Sequence, residues 1–431
     1  MACLGTAHII GGGLAGLASA VSLASQGCRV LLYEASPFLG GRCRSYHDST
    51  LNITIDNGSH LVLSGNDHVM GYVNMVGAQD ELIVQEQSRF DFYDVPTGRC
   101  ESLTVGDKSR AFWFVKREWG MTPSTLLSCL WACARHRCYG RHHVVSDVFS
   151  PHALFFRKFI DPLAVSVLNT ESSKASMRLL WNVLVKTFFR GASHCRPCYP
   201  RENLGASFIA PAHAYLLRHG ASIRCGMRVR GLGFQGRFVS SLCGLNFSVP
   251  VGREERVIMA LPPFAARAVL PSLSVPEGYR GIINVHFLIP KGRTPPPFPS
   301  MVGMHGSRGH WLFCHKDHLS VTISAVQDSW GTERDSFVRQ LWRDVSLTLG
   351  WKNGTMPPYR YLCEKRATFV QSPQNEHARG KTQTPWHNMF LAGDWTDTGL
   401  PATIEGAIMS GFRAASCVVS SVGSSSRSQT A

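Results

Sequence analysis

The sequence predicts an α/β protein: a Rossmann-like domain, discontinuous along the chain, that carries an inserted α+β domain. Three observations predict it. A strand–glycine turn–helix–strand unit opens the chain, a second helix-and-strand stretch lies at residues 211–261, and a strand–turn–helix unit closes it. The segments between differ in character, the first carrying long helical patterns with clustered Trp, Phe and Leu.

In chain order, residues 7–10 read as a short apolar strand, 11–16 as a turn, 14–26 as a helix ended by Gly27, and 29–33 as the next strand. Residues 51–55 alternate as a further strand and run into Asp56-Asn57-Gly58. Later, 211–220 is helical, 221–224 and 228–232 are strands, and 256–261 is an apolar strand stopped by Pro262-Pro263. The Pro-rich run 293–299 reads as a stiff surface connection. Residues 388–392 are a strand, 393–401 a turn and 403–416 a helix, and from about Ser420 the Ser-rich chain predicts a disordered tail. The Rossmann-like parts then fall at 1–85, 205–265 and 385–420, the inserted substrate domain at 86–204 and 266–384, and the tail at 421–431.

Of 431 residues, 44% are hydrophobic and only 17% charged, which excludes a disordered chain, and fourteen cysteines are too few for a disulfide scaffold. The apolar stretch 9–24 is interrupted by glycines and serines and is too short to span a bilayer. With no basic segment ahead of it, no signal peptide is expected, and the chain reads as cytoplasmic, soluble or peripheral on a membrane. Lys and Arg exceed Asp and Glu by 44 to 29, and the resulting +15 needs an anionic partner: nucleic acid, a phosphorylated ligand or a membrane surface. The arginines are scattered and no nucleic-acid reader motif appears, so no nucleic acid is expected.

Gly11-Gly12-Gly13-Leu14-Ala15-Gly16 is a G-x-G-x-x-G between strand and helix. Gly11 permits the tight turn, Gly13 lets a pyrophosphate touch the backbone, and Gly16 lets helix and strand pack closely. The helix start, with Leu14 and Ala15, would face the phosphates with free N–H groups and its positive dipole end. Glu34, at the end of the next strand, suits the ribose hydroxyls and disfavours a 2′-phosphate. Cys195-Arg196-Pro197-Cys198 lacks a second pair at matching spacing, so no metal site is expected.

Gly40-Gly41-Arg42 resembles the extended fingerprint of the amine-oxidase and phytoene-desaturase flavoprotein superfamily, in which the Gly pair and Arg meet the phosphates of FAD. Phe390-Leu391-Ala392-Gly393-Asp394-Trp395-Thr396 is similar to that superfamily's C-terminal motif, whose Asp binds the ribityl chain. The helix after it, opened by Thr403 and Ile404, would aim its N-terminus at the flavin, and Val229 matches the position whose backbone meets the adenine. Asp56-Asn57-Gly58-Ser59-His60 resembles the flavin-lining segment of the squalene-associated FAD-dependent desaturases, also called hydroxysqualene dehydroxylases. The blocks around Asn169-Thr170, Glu364 to Phe369 and Gly393 to Ala407 are similar to the same family, and the resemblance runs from about Ala7 to Ala415. One departure is Gly380 after Arg379, where the family pattern has Arg-Pro.

The resemblance implies an FAD-dependent oxidoreductase that removes the hydroxyl of hydroxysqualene to give squalene. It also implies a hydrophobic C30 isoprenoid as substrate, and it names no donor of electrons to the flavin. His60 is the candidate general acid, or a histidine that holds its loop by a backbone hydrogen bond. A carotenoid-type oxidative desaturase and a flavin-bearing lipid carrier without turnover are the alternatives. Burying about 30 carbons at roughly 0.8 kcal/mol per methylene would exceed the ceiling of about 20 kcal/mol on affinity, so such a substrate moves from bilayer to protein. Residues 126–131 with Arg135, Arg137 and Arg141 are the candidate docking stretch, with Phe155-Phe156 and Phe188-Phe189 as candidate lipid-facing aromatics.

Overall fold

Five parallel strands form the centre of the dinucleotide-binding part: Thr6–Ile10 (β1), Arg29–Tyr33 (β2), Ser222–Arg224 (β3), Arg256–Met259 (β4) and Met389–Leu391 (β5). Their order is β3-β2-β1-β4-β5, the doubly wound arrangement, assembled from all three expected Rossmann-like segments. The strands read apolar because both faces of the sheet are covered. The computed structural model describes residues 5–106, 142–294, 297, 300–327, 334–351 and 355–427, with backbone alone for 422–427.

Helix Leu14–Ala24 (α1) is buried along all but one of its eleven residues, since the sheet lies on one side and helix Ile404–Arg427 (α3) on the other. The two helices approach closely at Gly411, where an added Cβ would lie 2.3 Å from the Ala15 carbonyl and 2.9 Å from the Ala18 Cβ. Ser19 Oγ donates to the Gly411 carbonyl across the same crossing. α1 stops two residues before the expected end, with Gly27 at φ +78 completing the turn. α3 instead runs on past the expected tail boundary to Arg427, because a Ser-rich run without Pro continues a helix already nucleated.

Two strand expectations shift. The strand expected at 228–232 begins at Gly231, which leaves Val229 in an extended connection, and the strand expected at 51–55 is Ile53–Asp56, paired antiparallel with Ser45–Asp48.

A seven-stranded mixed sheet draws on both inserted segments. In order across it lie Tyr359–Phe369, Tyr279–Leu288, His318–Val326, Trp311–Cys314, Ser300–His305, Arg89–Asp94 and Arg99–Thr104. One face buries Ile283, Val285, Leu319 and Val321 against helix Arg334–Thr348. Helix Asp67–Val76 (α2) joins α1 and α3 in the core of the dinucleotide-binding part.

Candidate active site

The glycine turn is shaped by close approach. Gly11 has φ +108 and donates its N–H to the Tyr33 carbonyl at 2.8 Å, and a Cβ on Gly16 would fall 1.9 Å from the Gly11 carbonyl. Gly13 is the opposite case: a Cβ there would meet nothing within 4 Å, because the residue borders a cavity. As the N-cap of α1, Gly13 supplies no side-chain acceptor, so the first-turn N–H groups, including those of Leu14 and Ala15, open onto that cavity. Gly41, at φ +59, lies beside Gly13, while Gly40 donates to the Gly12 carbonyl. Glu34 lines the same space, with one carboxylate oxygen accepting from the Gly12 N–H and the other from the Ser36 N–H, each at 2.7 Å.

Arg42 bridges the first and last segments. Its guanidinium lies 2.8 Å from the Asp394 carboxylate and also donates to the Ala367 carbonyl at 2.7 Å. Burial works against the charge of Arg42 and Asp394 more than restores it, so its pKa lies above the ordinary value. Gly393, at φ +138, turns the chain so that Asp394 faces Arg42, and its N–H donates to Ser410 Oγ. Thr403 caps α3 by accepting from the Gly406 N–H, which leaves the Ile404 end of that helix at the cavity wall. Two helix N-termini, those of α1 and α3, thus border one cavity.

Val229 is buried at the cavity edge, and its peptide N–H and C=O make no hydrogen bond among the described residues. Gly58 sits against Asn284, and Ser59 Oγ donates to Ser320 Oγ at 2.8 Å. His60 lines the cavity and its ring makes no hydrogen bond among the described residues, so it does not hold its loop by a backbone bond. Burial, and then the nearby Arg42 charge, push its pKa down to about 4, which makes it a neutral imidazole at pH 7.

The cavity measures about 1190 Å³, above the roughly 300–1,000 Å³ of a drug-sized ligand site. Part of its wall is apolar and comes from one cluster: Phe92, Phe159, Leu163, Met301, Trp311 and Phe313. The glycine that opens onto space, the two exposed helix starts, the unpaired Val229 peptide and the Arg42–Asp394 pair fit a dinucleotide carrying a flavin.

Reasoning from sequence missed Arg379. It is 5% exposed and donates to the carbonyls of Asp394, Thr396 and Leu400 and to Thr398 Oγ1, at 2.6–3.1 Å, so it ties down the loop that carries Asp394. Gly380 beside it packs on Leu391 and Trp395. Glu405, in the first turn of α3, caps α2. Its carboxylate accepts from the His68 and Val69 N–H groups and pairs with the His68 ring at 2.7 Å.

The aromatic pairs are core. Phe155, Phe156 and Phe188 are buried in one cluster and Phe189 stacks edge-on with Trp181, so these candidate lipid-facing rings take the commoner role of aromatic pairs, core packing. Residues 126–131, Arg135, Arg137 and Arg141 lie outside the described residues, as does most of the 293–299 run. Cys195 and Cys198 are buried, and burial pushes both thiols up to about 12. No helix of the described residues is long and apolar enough to cross a membrane.

The fold and site define an FAD-dependent oxidoreductase. The chain matches the family described as flavin containing amine oxidoreductase over residues 14–419. It belongs to that family and, within it, to the hydroxysqualene dehydroxylases. Hydroxysqualene dehydroxylase of Sinorhizobium fredii is 36% identical over 422 residues, covering 96% of this chain and 98% of the relative. That of Zymomonas mobilis is 35% identical over 96% of this chain and 99% of the relative. A 15-cis-phytoene desaturase of Synechococcus elongatus is 21% identical over 95% of both chains. Among solved structures, an oxidoreductase from Methanosarcina mazei shares the fold with a TM-score of 0.69 at 13% identity, covering 95% of this chain and 99% of that one.

Proposed function

We propose that this enzyme removes the hydroxyl group of hydroxysqualene to give squalene, with reduced FAD as the electron source. The observation that carries the reading is that one cavity is lined by the glycine turn, both helix starts and Arg42, by His60, and by an apolar wall of Phe, Leu, Met and Trp side chains. Reduced flavin supplies a hydrogen with two electrons to carbon when bound. The N–H groups at the start of α1, with Gly11, Gly13, Leu14, Ala15 and Gly16, would hold the pyrophosphate, Gly41 would leave room for it beside Gly13, and Arg42 would supply positive charge. Glu34 keeps free lone pairs beyond its two backbone bonds and accepts from the ribose. The Val229 peptide takes the adenine edge, Asp394 the ribityl hydroxyls, and Gly58 and Ser59 line the ring. The α3 start at Thr403 and Ile404 favours negative charge on the reduced ring.

The apolar wall excludes water and receives the isoprenoid chain. His60, neutral at pH 7, donates a hydrogen bond to the departing hydroxyl and orients it. An aromatic wall also shields positive charge developing on an allylic carbon. Anaerobically reduced enzyme mixed with hydroxysqualene should yield squalene with oxidation of the flavin. Oxidation of a polyene instead would make the enzyme a desaturase, and lipid binding without flavin oxidation would make it a carrier. His60→Ala should keep its FAD and lose at least about 10²-fold in turnover; full turnover would remove His60 from the reaction.

The enzyme works at an anionic membrane surface. The net charge of +15 supports this, as does a substrate too apolar to cross water. Flotation with vesicles containing anionic lipid should carry the enzyme up, and neutral vesicles should not.

A further inference from the structure

We propose that the cavity-side face of the mixed sheet is a proton route, running from Asp317 at the surface through the buried His318, past His286 and Ser320, to Ser59 at the cavity wall. The inference rests on the dehydroxylation reading, because that reaction consumes a proton. The C–O bond breaks with its electron pair on oxygen, the oxygen takes the delivered proton and leaves as water. The new C–H bond is made with hydrogen and two electrons from the reduced, anionic cofactor. A dry cavity cannot draw that proton from bulk water, and His60 does not hold one at neutral pH.

The sequence pattern of the sheet is unusual for its burial. In strand His318–Val326, Leu319, Val321 and Ile323 enter the core, while His318, Ser320, Thr322 and Ser324 face the other way and are all buried. On the neighbouring strand, Asn284 and His286 stand opposite Thr322 and Ser320 and are each 1% exposed. A strand buried on both faces is ordinarily apolar on both, because buried polar groups cost free energy unless partnered. Here six polar side chains share one face.

They also connect. His318 Nδ1 lies 2.6 Å from the Asp317 carboxylate, whose side chain is about half exposed. The His318 ring lies 5.4 Å from that of His286 and stacks on His315 at 4.2 Å. Ser320 accepts from Ser59, and Thr322 donates to Asn284 Oδ1 at 2.8 Å. Asn284, Thr322 and Ser59 all line the cavity. Nε2 of His315 and of His318 are buried without a protein partner among the described residues, and the His286 ring lies against the Asp56 backbone. That is the situation a bridging water resolves, and a histidine–water–hydroxyl chain is able to pass a proton.

The titratable and charged groups facing this path are Asp56 from strand Ile53–Asp56, His315 from the preceding turn, Asp317 with its neighbour Lys316, and Arg360, which stands opposite His286 on strand Tyr359–Phe369 and pairs with Asp48 at 3.1 Å. Burial pushes Asp56 up to about 6, against hydrogen bonds from Ser45 and the Leu204 N–H, so a carboxyl that exchanges its proton close to neutral pH lies alongside the histidines. Burial, then His318, lowers His286 to about 3, which keeps it neutral between transfers.

The test uses the FAD-loaded enzyme and the variants His318→Gln and Ser320→Ala, the second removing a single oxygen should the first fail to fold. Each should keep its FAD and a KM within twofold, lose about tenfold in kcat, and gain a solvent deuterium isotope effect. Imidazole in the buffer should restore turnover to His318→Gly. Independently of turnover, ¹⁵N-histidine spectra should report exchange of the His286 ring proton with D₂O, slowed at least tenfold in His318→Gln. Unchanged exchange and an unchanged isotope effect would overturn the route. Wild-type enzyme that forms no squalene overturns the dehydroxylation reading instead, a result separable from the exchange measurement.

Discussion

Arg379 illustrates how a single side chain sets a loop. Its guanidinium supplies donors to three carbonyls and a hydroxyl between Asp394 and Leu400, and so ties the loop together from one point. Arg379→Met should destabilise the protein by about 3 kcal/mol in urea titration and lower the FAD content of the purified enzyme. Arg379→Lys should recover only part of both, because an ammonium lacks the planar fork. Asp56 gives a prediction in pH. Its folded pKa of about 6 lies above the ordinary 3.8, so between those values the folded chain holds a proton that the unfolded chain has released. Stability from this group therefore falls as pH rises through that window. Asp56→Asn should gain about 2–3 kcal/mol over wild type at pH 7 and nothing at pH 4, read from paired denaturation curves. At this scale the glycines of the turn were legible from sequence, because their spacing is a geometric requirement. Arg379 was not: its partners are carbonyls of a loop, and any residue type could have supplied those.

Among elements, the crossing of α1 and α3 is the tightest constraint. Gly411 admits no Cβ without moving the Ala15 backbone. Gly411→Ala should cost about 2–3 kcal/mol in thermal melts and weaken FAD binding, since both helix starts border the cavity. Glu405→Ala should cost about 1–2 kcal/mol by uncapping α2, with Glu405→Gln intermediate. Strands and helices flanking the glycine turn were readable because their apolar pattern and punctuation agree. The capping of α2 by Glu405 was not readable, since the carboxylate and the helix are 336 residues apart in sequence. The aromatic pairs were ambiguous in sequence because a run of rings looks the same whether it meets lipid or core, and packing decides.

For the molecule as a whole, the cavity takes a wall from each of the three Rossmann-like segments, so cofactor binding and global stability are linked. FAD at about 100 times its dissociation constant should add roughly 2.7 kcal/mol, seen as a concentration-dependent rise in Tm, with ADP alone giving a smaller rise. Arg42→Ala and Asp394→Ala should move that titration to higher FAD without changing the Tm of the cofactor-free protein by more than a few degrees. The overall architecture was legible in three short motifs, because each is a strand end facing a ligand. The polar face of the mixed sheet was not, because alternation in a single strand does not reveal that both faces are covered.

The order β3-β2-β1-β4-β5 has a consequence in time. The glycine turn leaves the ribosome first, yet the helix start that completes the cavity with it is among the last parts made. At about 5–20 residues per second, the nascent N-terminal half waits on the order of 20–80 s for its partner. Until β4 is made, β1 has only one of its two neighbours, and until the start of α3 is made the cavity lacks one of its two helix ends. Loading is therefore an event of the finished chain, and a transcript cut before Thr403 should yield a colourless protein exposed to proteases.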